Sequence, residues 1–248
     1  MSRKKTNKNI KGIILAGGTG SRLFPLTKVT NKHLLPVGRM PMIYHPIKKM
    51  TEAGIEEILI VTGVEHMGDI VTLLGSGKEF KCRFTYKVQD EAGGIAQALY
   101  LAKEFAASGK VIVILGDNIF GDKLTPFIDN FIAQDKGAKI LIKEVSDPHR
   151  FGVANIKNNQ VLSIEEKPKK PKSNYAVTGI YFYDAEVFNI IQGLKPSQRG
   201  ELEISDVNNA YLKRKSLSCE ILSGWWSDAG TFSSLERATL LVEGRVKL

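Results

Sequence analysis

Short apolar runs alternate with longer amphipathic stretches through the first half of this chain, and few folds accept that rhythm. "GIILA", Gly12 to Ala16, is followed after a loop by "PMIYHPIKKMTEAG", a helical pattern that stops at Gly54. "EEILIVTG" reads as a strand and "EHMGDIVTLLG" as a helix. "FTYKVQ" is a strand, and "GIAQALYLAKEFAASG" is one helix ending at Gly109. "KVIVILGDN" is a strand carried through to Asp117, "LTPFIDNFIAQDKG" a helix and "AKILIKEV" a strand. Runs such as "VIVIL" show no polar alternation, as expected of parallel strands buried on both faces. The pattern predicts an α/β fold around a doubly wound sheet.

After about Pro148 the rhythm changes. "FGVANIKNNQVLSIEEK" holds two alternating strands around Asn158-Asn159, a hairpin signal. "NYAVTGIYFYDAEVFNII" is a strand and then a helix, "ISDVNNAYLKRK" a helix, "SLSCEIL" a strand and "TFSSLERATLLVEGR" a last helix. No Pro/Ser-rich linker separates the halves, so one mixed α/β domain over residues 1–248 is expected. Its boundaries fall at about residues 1–10 for a basic lead-in, 11–147 for a first half and 148–248 for a second half that adds a substrate-binding subregion.

Composition narrows the class. No stretch approaches the roughly 20 apolar residues of a membrane span, and the basic start "MSRKKTNKNIKG" lacks the apolar centre of a signal peptide. Cys82 and Cys219 form no C-x-x-C pair, so reduced thiols and a cytoplasmic location are expected. The formal charge is +9, and five basic residues lie in the first eleven positions; the rest carries an excess of about +4. A modest basic excess suits an anionic small molecule. Nucleic acid is not expected, because no RRM, KH or zinc-finger pattern is present.

The loop after the first strand, "LAGGTGSRLFPLT", raises the functional question. It is not a dinucleotide loop, because Leu23 stands where the third glycine belongs. It is not a Walker A loop, because Gly18 stands where the lysine belongs. Free N–H groups at such a strand–loop–helix junction still form an anion site. A tight turn explains one or two of the glycines; it does not explain the cations that follow, Arg22 and then Lys32.

"LAGGTGSRLFPLTKVTNKHLLPV" resembles the G-G-x-G-[ST]-R-L-x-P-[LI]-T-x(4)-K-x-L-L-P-V signature of the sugar-1-phosphate nucleotidyltransferases. Six further blocks follow in order: "YKVQDEAGGIAQAL", "VILGDNIFGD", "DPHRFGVANI", "IEEKPKKPKSNYAVTGIYFYD", "PSQRGELEISDVNNAYL" and "GWWSDAGT". Together they resemble the thymidylyl branch of that family over roughly residues 11 to 240. The resemblance implies a Rossmann-like doubly wound mixed β-sheet of the nucleotide-diphospho-sugar transferase type. The implied reaction joins dTTP and glucose 1-phosphate into dTDP-glucose and diphosphate with Mg²⁺. A uridylyl or other nucleotide-using hexose-1-phosphate enzyme is the alternative within the family. A catalytically silent relative is disfavoured, since Arg22, Lys32 and both aspartates below are present.

The same resemblance assigns roles. Leu15, Gly17, Gly18 and Gly20 would cradle the triphosphate, Arg22 would hold its β- and γ-phosphates, and Lys32 would lie over the α-phosphate. Gln89 and Gly94 would read the base, and a glutamine offers a pyrimidine both donor and acceptor. Asp117 and Asp228 would hold the metal, two carboxylates being suited to Mg²⁺ with phosphate oxygens. Gly152, Glu166, Lys167, Val177, Gly179, Arg199 and Trp226 would bind the sugar phosphate, whereas Lys169, Lys170 and Lys172 belong to a solvated loop. Trp225 reads equally as a pocket wall or as packing. His33 replaces a glutamine common in the family, and His45 reads as a helix residue rather than a base. Longer relatives carry a C-terminal segment that builds an allosteric nucleotide site between subunits. The chain ends at Leu248, so weak or absent product feedback is expected, with a homo-oligomer of open order.

Overall fold

The computed structural model describes residues 10–158 and 160–246; the lead-in before Ile10, Asn159 of the hairpin and the last two residues lie outside the described part. Strand β1 (Ile10–Ala16) opens the sheet and is buried almost throughout. The glycine loop continues through three 3₁₀ turns (Ser21–Leu23, Leu26–Lys28, Lys32–Leu34) into a small ribbon, β2 (Pro36–Val37) and β3 (Met40–Pro41). Then come α1 (Tyr44–Glu52), β4 (Glu57–Gly63), α2 (Met67–Leu74) and β5 (Arg83–Gln89). The stretch read as one long helix is two, α3 (Ile95–Tyr100) and α4 (Lys103–Ala106), with Leu101 and Ala102 between them. β6 (Lys110–Leu115) stops before Gly116, and β7 (Asn118–Phe120) is a separate strand; Asp117 therefore sits in the turn between them, not on the apolar run.

The remaining elements are α5 (Thr125–Ala133), β8 (Ala138–Glu144), β9 (Gly152–Lys157), β10 (Gln160–Glu166), β11 (Tyr175–Tyr183), α6 (Glu186–Gln192), α7 (Ile204–Lys213), β12 (Leu217–Ile221), β13 (Trp226–Asp228) and α8 (Phe232–Val242). β6, β1, β4 and β5 run parallel in that order. β11 lies antiparallel to β6 and joins this parallel part to β8, β9, β10 and β12, giving nine strands in one mixed sheet. β9 and β10 pair antiparallel, as the hairpin pattern predicts, with an irregularity in register between Val161 and Ser163.

Two apolar clusters cover the faces of the sheet. Ile13, Leu15, Val111 and Val113 face α3, α6 and α7. Ile14, Ala16, Ile112 and Ile114 face α1, α2 and α5. Successive residues of one strand thus enter opposite cores, as β geometry requires. The loops that carry the polar residues collect beyond the carboxyl ends of the parallel strands, where open α/β sheets receive ligands. Among the described residues no helix is long and apolar enough to cross a membrane.

Candidate active site

Leu15, Gly17 and Gly18 line one side of a cavity, with Arg22, Lys32, His33, Gln89 and Gly94 around it. Gly20 does not line it. Its backbone, at φ +62°, starts the first 3₁₀ turn, and its carbonyl accepts from Leu23 N and Thr27 Oγ1, both at 2.8 Å. Gly20 shapes the loop from behind. Gln89, at the end of β5, donates through Nε2 to Gln97 Oε1 at 2.7 Å and to the Gly94 carbonyl at 3.2 Å. Gly94 is approached by its own chain: a β-carbon there would stand 2.5 Å from the Leu202 carbonyl.

A second cavity adjoins the first, and the two share Arg22, Ile95, Leu115, Asp117 and Glu201. Gly152, Glu166, Lys167, Val177, Gly179, Arg199, Trp226 and Asp228 all line this second one. Glu166 ends β10 directly opposite Gly152 on β9. The Lys167 amine lies 3.6 Å from Glu166 Oε1, and its side chain is half exposed. Arg199 donates to both carboxylate oxygens of Glu203, at 2.8 and 2.9 Å, and lies 3.8 Å from Glu166. Trp225 does not reach this cavity; it lines a third one beside Lys143 and Arg237.

Asp117 stands at the junction. Its Oδ2 receives the Lys32 amine at 2.5 Å and its Oδ1 the Asn118 amide at 3.0 Å. Burial works to raise the Asp117 pKa, but the Lys32 cation and these hydrogen bonds outweigh it and hold the carboxyl well below its usual range. His33 is buried, and burial with the neighbouring Lys32 charge pushes its pKa down to about 3; Nδ1 pairs with Asn31 Oδ1 at 2.7 Å. Asp228 is brought alongside by the β7–β13 ribbon, where it sits opposite Asn118, and Ala229 N donates to the Asp117 carbonyl at 2.9 Å. Burial and the Asp117 charge push the Asp228 carboxyl up to about 6, against the pull of Arg150.

Asn118 and Arg150 carry weight that the sequence reading missed. Asn118 Oδ1 accepts from Gly179 N at 2.8 Å and Trp226 Nε1 at 2.7 Å, while its amide orients Asp117. Gly179 must be glycine for this, since a β-carbon would lie 2.5 Å from the Asn118 amide. The only signal for Asn118 was its place directly after Asp117 in "GDN". Arg150 donates to Asp147 at 2.8 Å and to Asp228 at 3.2 Å.

Asp117, in the turn before β7, and Asp228, at the end of β13, offer hard carboxylate oxygens, and no set of three or more metal-ligating side chains occurs among the described residues. That donor set fits Mg²⁺, which takes one or two carboxylates and completes its shell with phosphate and water. A cavity under the glycine loop, a junction of paired carboxylates and cations, and a second cavity holding Lys167 and Arg199 suit an enzyme that joins two phosphate compounds. The chain belongs to the nucleotidyl transferase family, whose model matches residues 11–244.

Its relatives place it more finely. The glucose-1-phosphate thymidylyltransferase of Neisseria meningitidis is 46% identical over 94% of this chain and 83% of that protein. The Neisseria gonorrhoeae enzyme of the same name is 48% identical over the same shares. A Bacillus anthracis crystal structure, provisionally named a glucose-1-phosphate thymidylyltransferase and solved with sucrose, is 61% identical. It covers 96% of this chain and 97% of that one, with a TM-score of 0.92. This chain is thus a member of the glucose-1-phosphate thymidylyltransferases. UDP-glucose pyrophosphorylase, at 24% identity and a TM-score of 0.84 over 96% of this chain and 100% of that one, shares the fold.

Proposed function

We propose that the protein joins dTTP and α-D-glucose 1-phosphate into dTDP-α-D-glucose and diphosphate. The observation that carries this reading is the meeting of two cavities at Arg22 and Asp117, one under the glycine loop and one lined by Glu166, Lys167 and Arg199. The chemical difficulty is bringing two polyanions into line, and positioning with charge neutralisation answers it. The amides of Gly17 and Gly18 face the triphosphate. Arg22 pairs with the leaving diphosphate through its planar fork. Lys32 leans from Asp117 toward the α-phosphate, and Asn118 keeps the Asp117 carboxylate aimed. Arg199 exchanges one carboxylate of its acidic surroundings for the sugar phosphate, and Lys167 supplies the second cation. Glu166 accepts from the sugar hydroxyls. The attacking phosphate oxygen is already anionic, so no general base is needed, and His33, neutral above about pH 3, serves as a polar wall.

Asp117 and Asp228 would hold Mg²⁺, which when bound neutralises phosphate charge. Gln89 reads the pyrimidine edge that thymine and uracil share. The two bases differ by one methyl group, worth about 1–3 kcal/mol in a pocket, so UTP is expected as a slower second substrate. The product would feed deoxysugar routes, including rhamnose for cell-surface polysaccharide, in the cytoplasm.

The test is diphosphate release with Mg²⁺ and glucose 1-phosphate, offering dTTP, UTP, CTP, ATP and GTP in turn. The expected result is fastest release with dTTP. Release with UTP and none with dTTP would move the protein to the uridylyl enzymes.

A further inference from the structure

Each carboxylate at the junction of the two cavities already has a cation. Lys32 sits on Asp117 at 2.5 Å, and Arg150 sits on Asp228 at 3.2 Å. The two arrangements differ. Lys32 takes part in the reading above, and its partner is as buried as it is. Arg150 has no part there, yet with Asp228 it borders both the sugar cavity and the larger third cavity. Its guanidinium is divided: NH2 points to Asp228 and NH1 holds Asp147 at 2.8 Å, while the group stacks over Phe151, 5.1 Å from the ring centroid. Phe151 is fixed in turn, edge-on against Trp226. The side chain therefore has an anchor, Asp147, that keeps its charge neutralised if Asp228 is taken away. Arg150 and Asp147 belong to one short turn ahead of β9, so the shift needs side-chain rotation only.

Charge at the junction favours this exchange in one order. Without substrates, Asp117 and Asp228 face Lys32, Arg22 and Arg150, so a divalent cation meets a site whose carboxylates are already satisfied. A triphosphate reverses the local balance. Resting on the reading that Asp117 and Asp228 bind a metal, we infer that Arg150 is a placeholder cation. It occupies Asp228 in the free enzyme and retreats onto Asp147 when metal and nucleotide arrive together. Arg150 is thus a positioning residue that makes metal entry depend on nucleotide.

The test is Mn²⁺ binding to the whole protein without substrates, read from the electron paramagnetic resonance signal of free Mn²⁺. Wild type is expected to bind weakly. Arg150→Gln should bind at least about tenfold more tightly, because a like charge has left the ligand. Asp147→Asn should bind several-fold more weakly, because the guanidinium then has Asp228 as its one remaining carboxylate partner. The opposed signs separate this role from a loss of structure, and the Asp147→Asn arm stands alone if Arg150→Gln does not fold. Equal affinities in wild type and both variants would overturn the inference. A parallel series with dTTP, for wild type and Asp228→Asn, separates the two ideas. Nucleotide-dependent Mn²⁺ binding that Asp228→Asn abolishes upholds the metal site. Its absence would remove the metal site and the placeholder with it.

Discussion

The two cavities meet at one carboxylate but are built in opposite ways. The nucleotide side hangs from the ends of three parallel strands, β1 and β6 with apolar residues on both faces and the edge strand β5, which alternates polar and apolar residues. Its central pair, Lys32 and Asp117, is only 14% exposed at each side chain, and its histidine is buried and neutral. The sugar side hangs from antiparallel β9, β10 and β11 and the segment before α7. Its cations are open to water, 44% for Arg199 and 50% for Lys167, and acids already surround them. A cation paired in a dry site cannot lose its partner cheaply; one sharing water and three acids can. The nucleotide side should therefore be intolerant of change, and the sugar side graded.

Removing the junction should have the largest effect. Asp117→Ala strands the Lys32 charge and is expected to slow diphosphate release by about 10³ or more, judged against the loss of one preorganised group. A variant within tenfold of wild type would break the contrast. His33→Gln tests the dryness of the same side through stability. In wild type an unfolded His33 takes up a proton below about pH 6.5, whereas the folded one resists until about pH 3. Stability from this group is complete above pH 6.5 and falls as the solution is acidified. Its loss should reach about 2 kcal/mol at pH 5. Urea denaturation at pH 7 and pH 5 should show that slope in wild type and a flatter one in His33→Gln.

The sugar side should yield less. Arg199→Ala is expected to raise KM for glucose 1-phosphate roughly tenfold with a smaller change in kcat. Steady-state kinetics with dTTP saturating would measure it; a collapse of kcat alone would place Arg199 with the nucleotide machinery. Smallest of all, Lys169→Ala with Lys170→Ala should leave both constants within about twofold, since both side chains are exposed and neither lines a cavity.

The same contrast explains what the sequence disclosed. Parallel strands such as "VIVIL" announce themselves because both faces are apolar, and the helices around them show their stripes. The split between α3 and α4 was not visible, because "IAQALYLAKEFA" keeps helical spacing across the break. The β7–β13 ribbon was not visible either: two strands of three residues are too short for any period to register. That ribbon is what sets Asp228 opposite Asn118, so the pairing of Asp117 with Asp228 was legible only through family resemblance. Gly17, Gly18, Gln89 and Gly94 came from the motif and lie together around one cavity. Arg150 lies inside the block "DPHRFGVANI" but drew no role from it, because its meaning depends on a contact with a residue 78 positions away.

β11 has a consequence in the currency of inheritance. Its Tyr181 pairs with Val113 of β6 on one edge and Ile140 of β8 on the other, while Val177, Gly179 and Tyr181 face the sugar cavity. A recombination event that traded the second half of this gene for a relative's would import β11 as well. The newcomer would have to match the old β6 residue for residue before any new sugar could be accepted. Exchange of halves is thereby disfavoured, and novelty is channelled into the turns: the segment before β9, the lysine-rich loop after β10 and the stretch leading into α7. Acceptor range should drift through those short segments while the nucleotide side descends almost unaltered.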